Sequence, residues 1–281
     1  MTPESQASEA LPSRRSRALR GGRHRGDESF LLPPGSPALV LAVPGPASGH
    51  AGAVAAELAR DVELENTGQP ALVASIGGGP DGLGAVLSRL APARPDEPAA
   101  VVVPLITGPD PAIMSVVAAA VATAPVPVVA ADPLGPHPLI AEALHDRLAE
   151  SGLARADRIR MMTMVTEAGG VVVAAPGDAS AVRQAEITSV LLASRLACPV
   201  FTASLDDEAA LRGAADQLRA SGVRTVALAP HLIGPEVSPD RITRAAAAVG
   251  GTAAHPLGAH PALARLAALR YAEALASALA S

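Results

Sequence analysis

From Pro37 onward the chain repeats a single pattern. A short apolar run rich in Val, Ala and Leu ends at a Gly/Pro turn, and a longer Ala/Leu-rich stretch with helical spacing follows. The apolar runs fall at 38–43, 71–75, 99–106 and 126–130, then, after a break, at 170–175, 199–203, 223–229 and 252–254. The stretches of helical spacing are 49–62, 82–90, 111–122 and 139–151, then 179–196, 206–220, 239–249 and 262–280. Strand alternating with helix predicts an α/β fold whose parallel sheet is covered on both faces. Small aliphatic residues suit strands buried in this way. Ligands of such folds sit beyond the carboxyl ends of the strands.

The two sets of four match segment by segment. "AVPGPAS" (42–48) resembles "AAPGDAS" (174–180), "PLITGPD" (104–110) resembles "PHLIGPE" (230–236), and "PLGPHP" (133–138) resembles "PLGAHP" (256–261). The matched segments lie 132, 126 and 123 positions apart, a shrinking offset expected of a duplicated domain that has lost a few loop residues. The period is far too long for a solenoid. The expected fold class is α/β: two tandem Rossmann-like three-layer subdomains, each a four-stranded, mainly parallel sheet flanked by helices. The expected division is a disordered basic tail over 1–36, α/β domains over 37–152 and 170–281, and a linker over 153–169.

Composition narrows the function classes. The net charge of −5 leaves the folded body without a footprint for nucleic acid. The arginine-rich run over 14–25 reads as a solvated extension. The single cysteine, Cys198, excludes an intramolecular disulfide or a multi-cysteine metal centre within one chain and fits a reducing cytoplasm. Cys198 itself reads as an inert buried thiol. No apolar run reaches membrane-spanning length and the first residues lack a signal-peptide core, so a cytoplasmic protein with no membrane partner is expected. "GGGPDG" (77–82) lacks the Gly-Lys-Ser/Thr ending of a phosphate loop and reads as a mobile loop over the cleft. Neither a Gly-x-Ser-x-Gly elbow nor a His-Glu-x-x-His helix is present.

Two tandem halves carrying "LVLAVPGPAS", "VVVPLITG", "PLGPHPLIAEAL" and "PLGAHPALARL" resemble the sirohydrochlorin cobalt/iron chelatase family in its long, tandem-domain form. The resemblance spans residues 37–278. It implies insertion of Co²⁺ or Fe²⁺ into sirohydrochlorin, in cobalamin or siroheme synthesis. The implied partner is a tetrapyrrole, the metal is a substrate, and no permanently bound cofactor is called for. Insertion needs a group that takes up pyrrole protons and ligands that hand over the ion, and neutral imidazole serves both. The family places one histidine directly after the first strand, in a His-Gly-Ser loop, and another in a Gly-x-His segment after the third. Here Pro44-Gly45-Pro46 and Gly108-Pro109-Asp110-Pro111 stand at those places, and Pro176-Gly177-Asp178 and Gly234-Pro235-Glu236 in the second half. The competing expectation is a non-catalytic relative that binds a tetrapyrrole or metal, or serves as an interaction partner.

The remaining candidates follow from position. His231 interrupts the strand end "VALAPHLIG", where the first half has Leu105, and is a candidate proton carrier and metal ligand. Asp110 is a candidate proton acceptor; placed before Pro111, it also reads as a helix cap, as does Asp178 before its own helix. His50 and Glu236 are candidate metal ligands beside His231, with solvent exposure as the alternative for both. His137 and His260 read as structural: in each copy Leu packs, Gly turns the chain, His caps and Pro opens the helix.

Overall fold

The computed structural model describes residues 35–45, 49–65, 71–92, 97–154, 168–234 and 236–280, without the side chains at 49–51 and 65. Residues 1–34 of the expected tail and 155–167 of the expected linker lie outside the described residues. The first half runs β1 (Ala38–Val43), α1 (Gly49–Glu65), β2 (Ala71–Ser75), α2 (Leu83–Leu87), β3 (Ala100–Pro104), α3 (Pro111–Ala122), β4 (Val128–Ala130) and α4 (Pro138–Glu150). The second repeats it as β5 (Gly170–Ala175), α5 (Ala179–Leu196), β6 (Val200–Ser204), α6 (Glu208–Ala220), β7 (Val226–Pro230), α7 (Pro239–Val249), β8 (Thr252–Ala253) and α8 (Pro261–Leu279).

Where strand bounds differ from the sequence pattern, backbone bonding explains it. Ile106 N turns back to Pro104 O, so β3 ends two residues early. Val223 N closes the end of α6 on Leu218 O, and β7 starts only at Val226, past Arg224 and Thr225. The helix expected from 206 starts at Glu208 because the Asp207 carboxylate accepts from Ala210 N and caps it.

All pairings within the sheets are parallel, in the orders β2-β1-β3-β4 and β6-β5-β7-β8. The match between the two halves extends to single hydrogen bonds. Gly45 and Gly177 both take positive φ, 95° and 102°. Ser75 Oγ donates to Gly45 O, and Ser204 Oγ to Gly177 O, each at 2.6 Å. Leu105 N bonds Ala42 O as His231 N bonds Ala174 O, both at 2.8 Å.

Successive strand residues alternate between faces. Val40, Ala42 and Val102 face α2 and α3, whereas Val172, Ala174 and Leu228 face α6 and α7. The opposite faces, Leu39, Leu41, Val101 and Val103 in one sheet and Val171, Val173, Ala227 and Ala229 in the other, belong to one continuous core. That continuity has a specific cause. The last helix of each half crosses to the other: α4 packs on α5 and β7, α8 packs on α1, β3 and β4, and α4 and α8 pack together. Among the described residues no helix is long and apolar enough to cross a membrane.

Candidate functional site

In each sheet the chain leaves β1 or β5 toward one edge and β3 or β7 toward the other. The loops at those strand ends therefore part, which opens a crevice at each switch point. The two crevices face each other and merge into a cleft of about 640 Å³. Its walls are the loops after β1 (Pro44, Gly45), β3 (106–110), β5 (175–178) and β7 (His231, Glu236), with the first turns of α3 and α5.

His231 is 3% exposed on the cleft wall. Its Nε2 lies 3.3 Å from Thr188 Oγ1 of α5, and its carbonyl accepts from Thr107 Oγ1 of the first half at 3.0 Å. Both halves therefore hold it. Burial lowers its pKa to about 4, so the imidazole is neutral near pH 7 and has a lone pair free of a proton.

The carboxylates of the site are engaged. Asp110 accepts from Ala112 N and Ile113 N at 2.9 and 3.0 Å and caps α3; Asp178 accepts from Ser180 N and Ala181 N at 2.8 and 3.2 Å and caps α5. Glu236, at the place matched to Asp110, folds onto its own loop and accepts from Ile233 N at 3.1 Å and Gly234 N at 2.6 Å. Burial raises its pKa, and those backbone donors pull it back. The structure thus brings His231, Asp110 and Glu236 to one cleft. The backbone of His50 lies in the first turn of α1, and its side chain is outside the described residues. No group of three His, Cys, Asp or Glu suited to a metal ion occurs among the described residues.

Sequence reasoning passed over Gln184 and Thr188. They lie one helical turn apart on α5; Gln184 lines the cleft and Thr188 partners the His231 ring. No motif marks them; the signal is the four-residue spacing of polar groups counted back from a buried partner. The glycine-rich segment at 77–82 is not part of this wall. It folds back as a turn, with Ser75 N bonded to Asp81 O and Gly82 N to Gly79 O. Cys198 is half-buried, and burial raises its pKa.

The repeated histidines cap helices, as the sequence pattern predicts. His137 Nδ1 accepts from Leu139 N and His260 Nδ1 from Ala262 N, both at 3.1 Å. Leu134 and Leu257 are fully buried. The two glycines between them serve different ends. Gly258 adopts φ 60°, whereas a Cβ at Gly135 would come within 2.0 Å of Thr107 O.

Two parallel sheets of matching order, exchanged last helices and a cleft at paired switch points define a chelatase-like α/β fold. No family model and no curated protein sequence matches the chain. The sirohydrochlorin chelatase SirB from Bacillus subtilis subspecies spizizenii, solved in complex with cobalt, shares the fold at TM-score 0.62 and 15% identity, covering 86% of this chain and 96% of that one. SirB from Bacillus subtilis with Fe³⁺ does so at TM-score 0.64 and 15% identity, covering 87% and 98%.

Proposed function

We propose that the cleft binds a carboxylated tetrapyrrole of the sirohydrochlorin class and that the protein acts at the step where such a macrocycle receives Co²⁺ or Fe²⁺ as a substrate. The observation that carries this reading is the cleft itself. It joins the switch points of both halves, has a neutral imidazole on its wall, and belongs to a fold shared with two SirB structures over nearly their whole length.

Insertion exchanges two pyrrole N–H protons for one divalent ion. His231, neutral and with one unprotonated ring nitrogen, is the group of this wall suited to meet an incoming ion or the N–H of a macrocycle tilted toward it. Its low pKa makes it a better ligand than proton store, so the displaced protons pass on to solvent. No arginine is among the described residues that line the cleft, and Asp110 and Asp178 stand at its α3 and α5 ends. The ring face is therefore what enters, with the substrate carboxylates directed outward to water.

A second reading, binding without insertion, is supported by Pro44 and by the loop after Gly108, where the resembled family has histidines, and by the capping bonds of Asp110 and Asp178. One experiment separates the two. Purified protein is mixed with sirohydrochlorin and Co²⁺ or Fe²⁺ and the absorption spectrum followed. Insertion faster than the uncatalysed rate, lost in His231→Ala, is expected of the first. Bound chromophore with no acceleration sinks insertion and leaves the second; no binding sinks both.

A further inference from the structure

Gln184 sits on the cleft wall in the second turn of α5. Its Oε1 is buried and accepts no hydrogen bond among the described residues. A buried carbonyl oxygen without a donor is unfavourable by about 1–3 kcal/mol, and such groups are rare enough to require a cause.

The facing loop comes up to this amide without a side chain. A Cβ at Gly108, from the other half, would stand 3.2 Å from Gln184 Oε1. Gly108 is not among the glycines with positive φ, while its counterpart Gly234 has φ 136°. Backbone conformation thus explains glycine at 234 but not at 108, where a side chain would instead press on the amide. One turn further along α5, Thr188 meets the His231 ring, so Gln184 and His231 line the same cleft from neighbouring positions.

We propose that Gln184 is a specificity residue whose amide oxygen accepts an N–H from the metal-free macrocycle. This inference rests on the tetrapyrrole reading of the cleft and adds a direction to it. A carbonyl oxygen only accepts. A metal-free tetrapyrrole offers pyrrole N–H donors, and metallation removes them. Rotation of the amide toward a bound ring relieves the unpaired oxygen only while the ring still carries its protons. Gln184 therefore favours the metal-free over the metallated form, whatever the rate of insertion.

The test is a spectroscopic titration of the full chain with sirohydrochlorin and, separately, with its cobalt complex. The ratio of the two affinities is compared between wild type and Gln184→Met, which keeps the volume and removes the acceptor. The expected result is a shift of about tenfold toward the cobalt form, the worth of one hydrogen bond. Thermal stability should be unchanged or higher, because the unpaired oxygen is gone. Should Gln184→Met not fold, Gln184→Leu provides the same comparison. An unchanged ratio overturns the role of Gln184 and leaves the tetrapyrrole reading intact. Failure of wild type to bind either form overturns the tetrapyrrole reading and this inference with it.

Discussion

At the scale of single residues, His231 carries the sharpest consequence. Its imidazole titrates at about 4 when folded against an ordinary 6.5, and burial is the cause. Between those values the unfolded chain holds a proton that the folded chain refuses. The stabilising contribution is thus complete above about pH 6.5 and is lost as pH falls toward 4, in total about 3 kcal/mol. His137 and His260, also lowered chiefly by burial, act in the same direction. His231→Leu, which installs the residue found at matched position 105, isolates the single contribution. Urea unfolding from pH 7.5 to 4.5 should show the variant losing about 2–3 kcal/mol less than wild type over that interval. Parallel curves would mean that the imidazole protonates without cost in the folded state. The position of His231 was legible in the sequence, because it breaks an apolar strand end and has an apolar counterpart in the other half. Its contacts with Thr188 and Thr107 were not, since they depend on a helix and a loop distant in sequence.

At the scale of elements, the exchanged helices are held by reciprocal bonds. Arg147 of α4 donates Nε and Nη2 to Leu257 O at 2.9 and 2.7 Å, and its Nη1 meets Glu150 at 2.7 Å. Arg270 of α8 donates Nη2 to Leu134 O at 3.3 Å, and its Nη1 meets Glu273 at 2.9 Å. Glu142 of α4 and Arg265 of α8, also matched positions, pair at 2.6 Å. The two arginines are not equivalent, because Arg270 Nε is buried without a partner. Arg147→Met should cost about 1–3 kcal/mol by leaving Leu257 O without its side-chain donors, and Arg270→Met markedly less, since it also removes an unpaired group. Guanidinium unfolding checks this, and equal losses would refute the asymmetry. Most strands and helices here were legible to within two or three residues, because apolar runs, Asp and His caps and Gly/Pro turns are local signals. The reciprocal arginines had a signal too: the repeated Pro-Leu-Gly-x-His-Pro segments continue in register to Arg147 and Arg270, then to Glu150 and Glu273. The exchange itself had none. An apolar stripe records that a helix is covered, not which sheet covers it.

At the scale of the whole molecule, the exchange makes each half incomplete. Sheet residues Leu39, Leu41, Val101 and Val103 share a core with Leu263, Leu266 and Tyr271 of α8, and the Tyr271 hydroxyl donates to Pro37 O at 2.7 Å. A fragment ending at residue 154 keeps every strand of its sheet but lacks the helix that completes the inner face. It also carries α4, whose buried Ile140, Leu144 and Leu148 would have no second half to pack on. Those groups are each worth about 1.5–3 kcal/mol when fully buried, which is a large share of the stability of any domain. Residues 1–154 alone should therefore show no cooperative thermal transition. Mixed with 168–281, they should form a one-to-one complex by size exclusion, with native-like circular dichroism and a cooperative melt. Because the cleft needs the strand ends of both sheets, ligand binding should return only in that mixture. A cooperative melt of the first fragment by itself would show that α1 closes its inner face unaided, and that the exchanged helices position the cleft without being needed for either half to fold.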